Sequence, residues 1–318
     1  MGSTKVSDTV FPLNTGASIP ALGLGTAGTW QSAPGEVKTA VSYALKAGYK
    51  HIDCAYCYGN EDEVGEGLRE AFAAGVKRED VFITTKLWCT YHSRVEENLD
   101  MSLKDLGVDY VDLYLMHWPC PMNPNGNDPK FPKHADGSRD LDKSWTHIQT
   151  WLEMEKLVKT GKVKAIGVAN YSVRYLEELL PHATIIPAVN QIENHPSLPQ
   201  QDIADFCKGK GIHITAYSPL GSTGGPLMES AAVKEVASKR KASPAAVLLS
   251  YHLARGSSVL AKSVNPERIK VNAESLIHLD EGDMDILNKY SAQLQKEGKL
   301  VRYVYPTFGV NFGFPDKS

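Results

Sequence analysis

The chain has 318 residues, 42% of them apolar, and a formal net charge of −3. That length exceeds a small module, and the apolar share can fill either two cores or one large α/β barrel. The near-balanced charge gives no electrostatic reason to bind nucleic acid or an acidic membrane surface. No apolar run reaches a bilayer span, and residues 1–6 lack an apolar signal core. Five cysteines, an odd number in a long chain, read as reduced thiols of a cytoplasmic protein. Cys54 and Cys57 form a C-x-x-C, but no second pair or flanking histidine accompanies them. They read as packing residues, and no metal site is expected.

Residues 11–20 carry two short apolar pieces around Asn14 and Gly16, which predicts an N-terminal β-hairpin. Residues 21–26 read as a first inner strand. Val37, Val41, Ala44 and Leu45 then recur at helical spacing, with Gly48 as a stop. The alternation continues. Strand 51–54 precedes a helix carrying Val64, Leu68 and Phe72. Strand 81–87 precedes one carrying Val95, Leu99, Leu103 and Leu106. Strand 110–116 leads through a long loop to helix 145–159. Strand 163–169 precedes a helix around residues 175–180, strand 185–192 precedes helix 200–210, and strand 212–217 precedes helices 231–239 and 245–254. Strand 258–263 precedes helices 267–272 and 284–294.

Eight β-then-α units with strands apolar nearly throughout predict a (β/α)8 TIM barrel. No linker divides the chain, so residues 1–318 are expected to form one domain. Residues 119–144 form the one long irregular insert, and such a loop in a compact domain reads as a functional lid.

Gly23, Gly25 and Gly28 match G-x-G-x-x-G, and Asp53 follows downstream as a ribose-binding acid would. The context fails, because a dinucleotide turn runs directly into a helix. Here the helical pattern begins only at Pro34. The stretch therefore reads as a loop after the first strand, with Trp30 at a pocket rim.

In such a barrel the active site lies at the C-terminal ends of the strands. The second inner strand delivers Asp53 and, just beyond it, Tyr58. The third ends at Lys86 and the fourth at His117, with Trp88, Trp118 and Trp30 as apolar walls. A tyrosine is a poor acid at neutral pH, but a nearby cation stabilises its phenolate and lowers its pKa. Lys86 can be that cation, Asp53 can hold it charged, and His117 can bond a substrate oxygen. The group suits proton donation to a developing alkoxide, a reaction that needs a hydride source.

These motifs resemble the aldo-keto reductase family over essentially the whole chain. The similarity is to its aldose and aldehyde reductase branch, and within it to fungal NADP-dependent glycerol dehydrogenase and aldehyde reductase members. His51-Ile-Asp53-x4-Tyr58-Gly-Asn-Glu61, Thr85-Lys86-Leu-Trp88 and Leu115-Met-His117-Trp118-Pro119 carry it. The resemblance implies Tyr58 as proton donor, Asp53 and Lys86 as its tuning pair, and His117 as substrate orienter. It implies NADPH as hydride donor, a small-molecule carbonyl substrate and a monomer.

By the same resemblance Asn170 and Gln191 meet the nicotinamide carboxamide, and Tyr217 stacks under the ring. Ser218 and Leu220 belong to the loop that straps the pyrophosphate. Lys262, Ser263 and Arg268 surround the adenosine 2′-phosphate, and Asn272 binds the cofactor near the adenine. That last cluster also has a physical basis. Asn265 is a good N-cap and Pro266 a good first helical residue, so amides and two cations face one anion. Three departures stand out. Ala169 occupies a position that is usually serine, removing one cofactor hydrogen bond worth about 0.5–1.5 kcal/mol. Val271 replaces a frequent acid. The loop carrying Trp30 looks two residues longer than usual, and the tail from Arg302 to Phe312 resembles the variable segment that covers the pocket. The implied activity is NADPH-dependent reduction of small hydroxylated or sugar-like aldehydes such as glyceraldehyde, reversible toward polyol oxidation. A ketone or ketosteroid reductase and a non-catalytic NADP-binding protein remain the alternatives.

Overall fold

The computed structural model describes residues 8–27, 32–222 and 224–317. Trp30 and Gly28 lie outside them. The chain opens with a hairpin of β1 (Val10–Pro12) and β2 (Ser18–Pro20), paired antiparallel. Its Leu13 and Ile19 are buried against Phe82, Leu113, Ala165 and Val189. These residues lie toward the first half of their strands, so the hairpin closes the N-terminal end of the sheet.

Eight parallel strands close into a barrel behind it. They are β3 (Leu22–Gly25), β4 (His51–Asp53), β5 (Phe82–Leu87), β6 (Val111–Met116), β7 (Val163–Ala169), β8 (Val189–Glu193), β9 (His213–Tyr217) and β10 (Ser258–Lys262). Around them run α1 (Glu36–Lys46), α2 (Glu61–Ala73), α3 (Val95–Leu106), α4 (His147–Leu157), α5 (Val173–Leu179), α6 (Gln201–Gly209), α7 (Ala231–Arg240), α8 (Pro244–Ala254), α9 (Pro266–Glu274) and α10 (Glu281–Lys296). The helices bury one stripe each on a sheet that is apolar on both faces, which is why parallel strands read as continuous apolar runs. The expected (β/α)8 TIM barrel, with its hairpin and a tail across the mouth, is the observed architecture.

Two boundaries differ from the sequence pattern for local reasons. The strand expected from residue 185 begins only at Val189. The Ile185 N–H donates to Glu155 Oε1 at 2.7 Å, and its carbonyl accepts from Trp151 Nε1. Helix α4 thus takes the hydrogen bonds a ladder would need, and Pro187 has no N–H to offer. The helix expected from residue 145 begins at His147. Thr146 and Gln149 form a capping box that fixes the start two residues later.

The insert of residues 119–144 is a folded arm. Bridges at Met122–Leu141 and Lys133–Arg139 hold it together. Trp88 Nε1 donates to the Lys130 carbonyl at 2.6 Å and Thr90 Oγ1 to that of Pro129 at 2.8 Å, fastening the arm beside the C-terminal ends of the strands.

The first glycine of the G-x-G, Gly23, has a packing cause. A Cβ on Gly23 would sit 2.7 Å from Leu260 and 2.8 Å from the His51 ring. His51 is fully buried inside the barrel and donates to or accepts from Thr84 Oγ1 at 3.0 Å. Glycine is needed there to let neighbouring side chains fill the interior. Gly23→Ala is therefore expected to cost about 1–3 kcal/mol through overpacking. Thermal unfolding should show a lowered Tm with the barrel secondary structure retained.

Candidate active site

Register decides which strand ends meet. Gly25 pairs with Asp53, Asp53 with Thr84, and Lys86 with Leu115. The last residues of β4 and β5 therefore point into one mouth, and His117 follows β6 directly. Lys86 Nζ donates to Asp53 Oδ1 at 2.6 Å, to the Cys54 carbonyl at 2.8 Å and to Tyr58 Oη at 3.3 Å. The lysine side chain is wholly buried and that of Asp53 nearly so. A buried ammonium without a partner costs several kcal/mol, so the carboxylate is what keeps the charge there. Burial alone would lower the lysine, but Asp53 and the neighbouring phenol raise it above its ordinary value, and it is an ammonium at every physiological pH.

The tyrosine differs from the expectation. Burial pushes the Tyr58 phenol up to about 12, and Lys86 only partly offsets this. The cation is already bound to Asp53, whose own charge also disfavours phenolate. The resting site thus holds a protonated phenol, as a proton donor requires. His117 is held well below the ordinary histidine range, first by burial and then by the Lys86 charge, and it is neutral. Its ring stands edge-on to Tyr58 at 5.7 Å and to Trp88 at 5.2 Å.

Around this group the structure gathers most of the other sequence-derived residues. Gln191, at the mouth end of β8, donates to the second Asp53 oxygen at 2.7 Å, leaving its own carbonyl for a ligand amide. Asn170 follows β7 in a left-handed conformation, φ 62°. It donates to the His117 carbonyl at 2.9 Å and accepts from Tyr217 Oη at 2.7 Å. A non-glycine residue there stores on the order of 1 kcal/mol of strain, and Ser218, at φ 52°, stores the same kind. Such strain held by surrounding contacts is typical of ligand sites. Leu220 packs against the small cluster formed by α7 and α8.

Farther round the rim, Asn265 caps α9 through Arg268 N–H at 3.0 Å, with Pro266 in the first turn. Ser263 Oγ accepts from Asn265 N–H at 3.1 Å. Lys262 and Arg268 are exposed, and among the described residues neither forms an ion pair with a carboxylate. Two uncompensated cations at a helix N-terminus fit a phosphate. Asn272 lies on the same helix, half-buried, while Val271 is exposed. Trp88 and Trp118 form the aromatic wall. The tail closes it, with Phe312 at 4.8 Å from Trp118 and Phe308 at 6.1–6.2 Å from both indoles. Among the described residues no group of His, Cys, Asp or Glu is placed to hold a metal.

Three groups were not singled out by sequence. Glu61, the first residue of α2, is buried behind Lys86 and accepts from Thr85 Oγ1 and Ser102 Oγ. Burial pushes its carboxyl up while those hydroxyls oppose. In the sequence it closes the motif that carries Asp53 and Tyr58, with no role of its own assigned. Glu193 ends β8, fully buried, and accepts the backbone N–H groups of Tyr303 and Val304 at 2.8 Å each, with His195 Nε2 at 3.0 Å. Arg302 grips Asp316 through two hydrogen bonds of 2.7 and 2.8 Å and donates to Gln200. These clamps place the tail. The strand-end rule that picks out Lys86 and His117 applies equally to Glu193, so that residue carried a usable signal.

The aldo/keto reductase family model matches residues 21–292. D-galacturonate reductase of Hypocrea jecorina is 65% identical over 310 residues, covering 98% of this chain and 99% of that protein. Glycerol 2-dehydrogenase (NADP(+)) of Saccharomyces cerevisiae is 47% identical, covering 95% and 96%. Among solved structures, the aldose reductase from Schistosoma japonicum matches with a TM-score of 0.85 and 41% identity over 93% of this chain and 94% of that one. The chain belongs to the aldo/keto reductase family. It is an enzyme, an oxidoreductase of carbonyl groups.

Replacing the Glu193 carboxylate tests the clamp. Glu193→Gln turns one acceptor into a donor facing a backbone N–H, at a cost of about 1–3 kcal/mol. A lower Tm and new proteolytic cleavage between residues 301 and 312 are expected. A tail as resistant as in the unaltered chain argues against the clamp.

Proposed function

We propose that this enzyme reduces small hydroxylated aldehydes with NADPH, sugar acids of the D-galacturonate kind among them, and runs in reverse as a polyol oxidation. The observation that carries the reading is the protonated Tyr58 phenol standing 3.3 Å from a buried ammonium that Asp53 holds at 2.6 Å. NADPH, when bound, supplies the hydride.

The chain's own residues handle the oxygen end. Neutral His117 orients the carbonyl oxygen toward Tyr58 Oη. As negative charge develops there, the phenol gives up its proton, and the resulting phenolate lies against the Lys86 ammonium. Solvent returns the proton to Tyr58. Asp53 acts through Lys86 and does not touch the substrate. Trp88 and Trp118, with the tail phenylalanines, exclude water from the reacting face.

Gln191 and Asn170 present side-chain amides where a carboxamide is expected, with Tyr217 beside them. Ser218 and Leu220 belong to the strap, Lys262, Ser263 and Arg268 recognise the 2′-phosphate, and Asn272 stands near the adenine. The 2′-phosphate assignment is supported by the capped α9 and by Lys262 and Arg268, which form no ion pair among the described residues. Sugar acids are included because the 65% identical relative is named for D-galacturonate.

We infer further that the chain works as a single domain and as a monomer in a reducing cytoplasm. In support, the barrel sheet is closed and leaves no edge strand to pair, all five cysteines are free, and no described helix is long and apolar enough to cross a membrane.

Tyr58→Phe should abolish glyceraldehyde-dependent NADPH oxidation while NADPH still quenches protein fluorescence. Wild-type turnover at the unaltered rate would falsify the role. With Tyr58 pushed up to about 12 and His117 neutral, both stay in their working forms from about pH 6 to about pH 9. The rate of reduction should be level across that window, and loss of the phenolic proton should lower it only as the pH approaches about 12. A steep change near neutral pH would point to a different donor. Ala169→Ser restores a hydroxyl beside the carboxamide position, and NADPH affinity should tighten by about two- to tenfold in a fluorescence titration.

A further inference from the structure

A cavity of about 350 Å³ opens beside Tyr58, bounded by Gly59, Asn60 and Glu63 on one side and by Lys130 of the insert on the other. Lys130 has no part in the chemistry described above. Its ammonium lies 3.4 Å from the Cys57 carbonyl and 5.3 Å over the Tyr56 ring. It comes so close to the turn after Tyr58 that a Cβ on Gly59 would sit 2.8 Å from Nζ.

The lysine is held in place from behind. Trp88 Nε1 donates to its carbonyl, and its own N–H donates to Asp128 Oδ1 at 2.8 Å. The same indole that walls the substrate pocket thus fixes where the cation stands.

Among the described residues, Lys262 and Arg268 stand unpaired farther round the rim, while four cations closer to the reacting groups are engaged. Lys86 is bound to Asp53, and Arg302 to Asp316. Arg174 reaches Glu178 and the Asn311 carbonyl. Arg139 lies over the Phe131 and Phe308 rings with its guanidinium on the Phe131 carbonyl. Among the described residues Lys130 forms no ion pair with a carboxylate. Glu63, the acid on the same cavity, accepts the Val37 N–H at 3.2 Å instead. A half-buried ammonium facing a cavity that also contains the proton donor is placed to receive an anion borne on the substrate.

We propose that Lys130 is the specificity residue that binds the carboxylate of an aldehyde acid, a hexuronate in its open-chain form, with the aldehyde end at Tyr58 and the acid end at the insert. The inference rests on the reductase reading above and adds the residue that selects charged over neutral sugars. A neutral aldose presents a hydroxymethyl group at that end. It accepts a hydrogen bond from the ammonium with a neutral oxygen, where a carboxylate forms an ion pair as well.

The test uses the full chain with saturating NADPH and three carbonyls: D-galacturonate, D-galactose and glyceraldehyde. The unaltered enzyme should prefer D-galacturonate to D-galactose by about tenfold or more in kcat/KM. Lys130→Met keeps the length of the side chain and removes the charge. It should erase most of that preference, with the loss falling on KM for D-galacturonate and not on kcat. Lys130→Arg should restore the preference. Equal losses on both sugars, or a Lys130→Met enzyme that keeps the preference, overturn the assignment. Turnover of glyceraldehyde with no preference between the two sugars in the unaltered enzyme also overturns it, while leaving the reductase reading intact. Failure to reduce any of the three carbonyls overturns that reading, and the subsite with it.

Discussion

A charged lysine sealed inside the end of a barrel is tolerable only with an anion against it, and Asp53 is that anion at 2.6 Å. Removing either partner strands a buried charge at about 3–5 kcal/mol. The rest of the site is arranged around this pair. Gln191 holds the second Asp53 oxygen, so the carboxylate cannot swing away. The Cys54 carbonyl takes another of the ammonium's donors. What remains of the lysine's field falls on Tyr58 and His117, keeping one phenol next to a cation and one imidazole neutral.

The field has a limit. It does not make Tyr58 acidic, because burial of the phenol outweighs a cation whose charge is already half-answered by Asp53. The arrangement favours donation only once negative charge grows on a substrate oxygen nearby. That is the behaviour wanted of a group that must stay protonated at rest, and it follows from a low-dielectric site more than from any single contact.

Specificity is built from different material. Asp53 and Lys86 sit on strands, where the ladder fixes them, His117 follows a strand directly, and Tyr58 lies in the turn after Asp53. The walls come from the insert and the tail, which have no ladder. These segments are positioned by a few buried polar clamps: Trp88 on the Lys130 carbonyl, Glu193 on two tail amides, and Arg302 on Asp316. Because the Trp88 and Glu193 clamps grip backbone, side chains such as Lys130 and Phe308 can vary while the segment keeps its place. A barrel of this kind can therefore change substrates with its reacting group intact.

Much of this was legible before any coordinates. Alternating apolar runs and helical stripes required eight β/α units. The rule that barrel sites lie at strand ends brought Asp53, Tyr58, Lys86 and His117 onto one list, because a strand's end and its residue order are local properties. The same local reading misplaced the start of β8, where Glu155 of a neighbouring helix claims the backbone. It could not find Glu61 as a buried acid behind the lysine, since its partners Thr85 and Ser102 come from distant elements. Nor could it give the net direction of the Tyr58 shift, which depends on how deeply the ring is buried and on who else holds the lysine. Residue type and order determined which groups reach the mouth. Only the closed barrel decided their distances, their partners and the local dielectric, because those are set by contacts between segments far apart in the chain.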